Sequence, residues 1–91
     1  MKANVLDMIV ARQSEAHERG NLNIWTVYDH PKDFPDGFVA RRFECLGPAP
    51  VATNDVVQGD LPAIRDAFSR CGLTRLLRND GDEPQIVESW I

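Results

Sequence analysis

The apolar positions of this chain fall into two helical stripes and two pairs of strand-like runs. Val5, Met8 and Ile9 recur at helical spacing, with Leu6 and Val10 widening the stripe, which predicts a helix over about residues 4–19. Asn4 is placed to cap it, with Asp7 in its first turn. Beyond Ala11 the pattern turns polar, so this helix is expected to dock by its first half. Gly20-Asn21 is its stop. Leu22 to Asp29 carries Ile24, Trp25, Thr26, Val27 and Tyr28, strand-favouring residues in an unbroken run. Phe38 to Leu46 reads as its hairpin partner across a turn-rich loop with two prolines and a glycine.

Gly47-Pro48-Ala49-Pro50 then breaks the pattern, and residues 51–58 are predicted to be a loop. Leu61, Ile64, Phe68 and Cys71 form the second helical stripe. Asp60 sits at its N-cap, Pro62 in its first turn and Gly72 at the left-handed position past its end. Leu73–Arg78 and Gln85–Ile91 form a second hairpin around Asn79-Asp80-Gly81-Asp82-Glu83-Pro84. Strict alternation in the last strand puts Ile86, Glu88 and Trp90 on one face. The expected fold is therefore α+β in the order α-β-β-α-β-β. Its two hairpins build a mainly antiparallel sheet, with the helices packed on one face. Residues 1–91 are expected to form a single domain.

Two stretches carry a resemblance. Trp25-Thr26-Val27-Tyr28-Asp29-His30-Pro31-Lys32-Asp33-Phe34-Pro35, continuing into Val39-Ala40-Arg41-Arg42, resembles a group of short bacterial proteins of unknown function. The tail, Gly72-Leu73-Thr74-Arg75-Leu76 and then Asp82-Glu83-Pro84-Gln85-Ile86-Val87-Glu88-Ser89-Trp90-Ile91, is similar to the C-terminal ends of the same proteins. The resemblance implies a small bacterial protein and brings no activity, cofactor or binding residue with it.

Charge narrows the function classes. The formal net charge is −4, spread over both halves without a basic stripe, which argues against nucleic-acid binding. There is no polybasic anchor and no apolar run of membrane-spanning length, so no membrane partner is expected. The first residues lack a signal-peptide pattern. Cys45 and Cys71 form no C-x-x-C pair. Both are expected to be buried thiols in a reducing compartment, and the protein is expected in the cytoplasm.

The densest chemistry is in Asp29-His30-Pro31-Lys32-Asp33-Phe34-Pro35-Asp36-Gly37. His30 with Asp29 or Asp33 has the makings of an acid–base pair. The same residues also suit plain turn chemistry, with aspartates capping backbone N–H groups and prolines fixing bends. Their linear spacing matches no metal motif, so neither metal nor cofactor is expected. Arg41 and Arg42 are expected across the hairpin from Trp25 and Asp29. There they form either a register-holding Arg–Asp bridge with a stack on Trp25 or an anionic-ligand site made of Arg41, Arg42 and Trp25.

No nucleophile motif or phosphate-binding glycine loop is present. The leading expectation is therefore a non-catalytic protein-interaction or self-associating module. Its partner is another protein or a second copy, as a homodimer. The alternative is a small enzyme or anionic-ligand-binding protein using the Asp29-His30 and Arg41-Arg42 region. The dimer is expected to use the final strand, which has one charge, Glu88, and is open for pairing if it lies at an edge. An uncovered sheet face carrying Trp25 is a second surface for it.

Overall fold

A computed structural model describes residues 4–91. Helix α1 (Val5–Glu18) is capped by the Asn4 side chain, which accepts a hydrogen bond from the Asp7 amide at 2.8 Å. Strands β1 (Leu22–Asp29), β2 (Phe38–Leu46) and β3 (Ala49–Gly59) follow, then α2 (Leu61–Arg70), β4 (Arg75–Leu77) and β5 (Ile86–Trp90). Asp60 caps α2 through the Ala63 amide, and Gly72 takes φ +81° just beyond its end. The five strands form one antiparallel sheet in the order β3-β2-β1-β5-β4. The α+β class and the antiparallel sheet match the sequence reading, but the element order is α-β-β-β-α-β-β. Among the described residues, no helix is long and apolar enough to cross a membrane.

The additional strand is β3, over the segment expected to be a loop. Two features hide it in the sequence. Pro50 lies within it, paired opposite Cys45, and β3 pairs with β2 alone. On such an edge strand a missing N–H is tolerated. Thr53, Asn54 and Asp55 interrupt the alternation because they bulge opposite Arg42, where the register slips between Arg41 and Phe43. The Thr53 hydroxyl donates to the Arg42 carbonyl at 2.9 Å and accepts from the Asp55 amide at 3.2 Å, which closes the bulge locally.

The second correction concerns β5. Its use in a dimer depended on its lying at an edge; it lies inside the sheet, paired with β1 on one side and β4 on the other. The edges are β3 and the three-residue β4. A bulge in β5 also breaks the expected alternation: Val27 faces Glu88 while Tyr28 faces Ile86. Glu88 and Trp90 share the helix side, and Ile86 lies across from Tyr28 on the other.

Cross-strand partners share a face, so the register identifies the covered side. Trp25 opposite Trp90, and Val27 opposite Ala40, which in turn pairs with Val57, form a buried cluster with Ile9 of α1 and with Ile64, Ala67 and Phe68 of α2. The Phe68 ring lies between two indoles, 5.4 Å from Trp25 and 5.5 Å from Trp90. Tilted aromatic pairs of this kind each add about 0.5–1.5 kcal/mol beyond area burial. Trp25 is thus a core residue, contrary to its expected place on an uncovered face.

Helix α1 docks along its whole length rather than by its first half. Ile9 and Ala16 are both buried, whereas Val5 and Val10 are exposed. Its polar half finds polar partners on the sheet, described below. Both cysteines are free and half-buried rather than fully buried.

Candidate functional site

The hairpin loop between β1 and β2 was the densest candidate. The His30 amide donates to the Gly37 carbonyl at 2.8 Å and closes the loop, and Pro31 accepts from Phe34 at 3.0 Å to form an inner turn. His30 adopts φ +46°, a left-handed conformation in which His, Asn and Asp are enriched among non-glycine residues. That turn brings the His30 Nδ1 to the Asp29 carboxylate, and the ring meets Phe38 edge-on at 5.4 Å. Asp33 lies 3.4 Å from an Arg41 guanidinium nitrogen. A cleft of about 550 Å³ opens beside the loop, lined by His30, Phe34, Pro35, Phe38 and Asp60 among others. Asp33 and Asp36 also line it, so its rim is acidic around an aromatic floor.

An imidazole fixed at Nδ1 by a carboxylate has the arrangement of a general base. Here both groups are about half exposed, at 53% and 52%, so solvent screens the pair. The cleft lining contains no serine, threonine, tyrosine or cysteine for a base to activate. Among the described residues, no group of three or more His, Cys, Asp or Glu side chains is arranged to hold a metal ion. Elemental analysis of untagged protein is expected to find zinc, manganese and iron well below one per chain. Stoichiometric metal that disappears in His30→Ala would overturn the turn-chemistry reading of this loop.

The two arginines part company. Trp25 faces Arg42 and Thr26 faces Arg41, while Asp29 lies opposite Phe38. The expected bridge to Asp29 is therefore not formed. Because Trp25 points into the core, Arg42 must point the same way, and so must Asn23 and its partner Glu44. These three are buried, beneath the polar half of α1.

The Arg42 guanidinium donates to Asp55 at 2.9 Å, to Glu44 at 2.8 Å and to the Asn23 side-chain oxygen at 3.0 Å. Arg12 of α1 reaches the same Asp55 oxygen at 3.1 Å, and Arg19 grips Glu44 with two hydrogen bonds of 2.7 and 3.0 Å. Gln13 accepts from both the Asn23 amide and the Trp25 indole. Arg42 and Trp25 are thereby engaged internally and stand apart from the hairpin cleft. Asn23, Glu44 and Asp55 were not singled out from the sequence. The signal that finds Asn23 and Glu44 is parity: in register with Trp25, alternate residues on β1 and β2 share its face; Asp55 sits in the bulge of β3, which parity does not reach.

Hydrogen bonds from Arg19, Asn21 and Arg42 hold the Glu44 carboxyl down at about 2, against 4.5 for a free glutamate. Burial pushes Asp55 up, but Arg42 and Arg12 outweigh it and leave its carboxyl below the usual value. A carboxylate with a depressed folded-state value stabilises the fold above its unfolded value, and that contribution is lost as pH falls through the folded value. Thermal stability is therefore expected to decline between about pH 4.5 and 2 as Glu44 is protonated. Calorimetry across that range should show a shallower decline for Glu44→Gln than for the parent chain.

The opposite face of the sheet is apolar as well. The outward positions of β1 are Leu22, Ile24, Thr26 and Tyr28, and those of β2 are Val39, Arg41, Phe43 and Cys45. Val56 of β3, Ile86 of β5 and Leu76 of β4 extend the same face across all five strands. Among the described residues no helix packs on this side; both belong to the cluster around Trp25. Leu22 and Leu76 are exposed, Ile24, Tyr28 and Phe43 are half-buried, and Thr26 and Val39 are buried. Arg41 is turned aside, donating to the Thr53 carbonyl at 2.8 Å and facing Asp33.

No protein-family model, curated protein or solved structure matches the chain.

Proposed function

We propose that this chain is a non-catalytic protein-interaction module whose working surface is the open face of its sheet. The observation that carries the reading is the apolar character of the sheet face that no described helix covers. An antiparallel sheet with one solvated face normally alternates apolar-in with polar-out. Here the outward row of β1 and β2 is apolar at six of eight positions, in addition to the apolar core around Trp25 on the helix-covered side. A contiguous apolar patch on a folded surface marks a contact site. The two free thiols fit a reducing compartment, and we place the module in the cytoplasm.

The anionic-ligand reading of the hairpin has less support. Arg42 faces inward among carboxylates, Arg41 is held by Asp33 and Thr53, and the neighbouring cleft is rimmed by aspartates. Such a rim repels the ligand that the arginines would attract.

The test is a photo-crosslinking amino acid, benzoylphenylalanine, placed at Phe43 and, as a control, at exposed Val10 on α1. Irradiation in the native host should give an adduct of discrete mass from position 43 and none from position 10. Absence of a polypeptide adduct at position 43, or the same adducts at both positions, would overturn the reading.

A further inference from the structure

We infer that the occupant of the open face is a second copy of this chain, stacked sheet against sheet about a two-fold axis. This rests on the reading of that face as the interaction surface and identifies the partner.

Size is the first argument. The molecule measures 37 × 33 × 22 Å along its principal axes. Its short axis fits one helix layer on one sheet layer. The two longer axes frame a face of the scale a standard interface takes from each partner, about 800 Å². A smaller contact would leave much of the apolar row wet.

Charge is the second. Arg41 is the one charged side chain that the paired positions of the five strands put on this face. Its guanidinium is already engaged by the Thr53 carbonyl and the Asp33 carboxylate. Two identical copies therefore meet without an unmatched like charge, and no acidic partner is needed to neutralise the surface. A two-fold stack also uses each patch once and closes, which leaves no apolar face to propagate. The product is a four-layer helix–sheet–sheet–helix particle, its two sheets about 10 Å apart as in other face-packed sheets.

The sheet edges compete poorly. Pro50 and the Thr53–Asp55 bulge blunt β3, and β4 offers three residues flanked by Arg78. Short, charged and bulged edges are the usual protection against strand addition. Leu77 on β4 is 77% exposed, which makes it the natural control for edge pairing.

Sedimentation velocity across micromolar concentrations decides the matter. The parent chain should run as a dimer of twice 10.2 kDa. Phe43→Glu should weaken association by about tenfold or more, the equivalent of one poorly matched contact of about 1.4 kcal/mol. Leu22→Glu, at a half-exposed position of the same face, should do likewise and decides the point if Phe43→Glu fails to fold. Leu77→Glu should remain dimeric. A monomer at every concentration, a dimer that survives both face variants, or a dimer lost only in Leu77→Glu would each overturn the inference. A monomer that still crosslinks another polypeptide from position 43 would reject the second copy and leave the open-face reading standing; a monomer with no adduct would reject both.

Discussion

A chain lacking residues 86–91 is expected to be unfolded or insoluble. These six residues supply the strand that joins the hairpin of β1 and β2 to β4. With β5 gone, β1 loses one of its two neighbours and β4 loses its only partner. The core loses Trp90, which is 5% exposed and packs on Phe68; truncating a buried tryptophan costs about 3–5 kcal/mol by itself. Glu88 goes too. It is buried, its carboxylate accepts three hydrogen bonds from Arg65 at 2.7–3.2 Å and one from the Trp90 indole, and it ties α2 to the sheet. The summed loss approaches the whole stability of a small domain, about 5–15 kcal/mol. Far-UV circular dichroism and a melting scan read the outcome. A truncated chain that melts cooperatively at the parent temperature would show that β5 is dispensable.

The legible parts of the fold are those with local causes. Asn4, Asp60 and Gly72 end helices by bonding or conformation within a few residues, so their roles are visible in sequence order. The β1–β2 hairpin was visible because both strands keep a run of strand-forming residues around a turn. Strand β3 was missed because its pairing with β2 is what makes it a strand; Pro50 and the Thr53–Asp55 bulge read as breakers until an edge position is known. The interior place of β5 is not legible for a related reason, since its partner β1 lies more than fifty residues earlier in the chain. At the hairpin, the Asp29–His30 contact was visible as a neighbouring pair, and the cleft beside it drew on Asp60, far away in sequence. The polar half of α1 was read as solvated because charge usually is. Its partners, Glu44 and Asp55, lie on strands whose facing direction depends on register.

Replacing Arg42 with Met is expected to destabilise the fold by about 3 kcal/mol, the lower part of the range for breaking a buried ion pair from one side. The guanidinium is only 8% exposed and serves three acceptors on three different strands: Asn23 of β1, Glu44 of β2 and Asp55 of β3. Its removal leaves the Asn23 oxygen without that donor and two carboxylates each short of a partner. The loss stops short of the upper range because Arg19 still holds Glu44 and Arg12 still reaches Asp55. Lysine should not rescue the site: a single ammonium cannot reproduce a planar fork reaching three acceptors. Arg42→Met with Glu44→Gln should cost less than the two single changes added together, because the second removes the charge the first strands; coupling of about 0.5–3 kcal/mol is the usual range for contacting groups. Urea unfolding at one fixed protein concentration measures all four chains, since association shifts apparent stability. An Arg42→Met midpoint equivalent to less than about 0.5 kcal/mol, the scale of an ordinary surface change, would mean that the guanidinium is only a passenger in the network beneath α1.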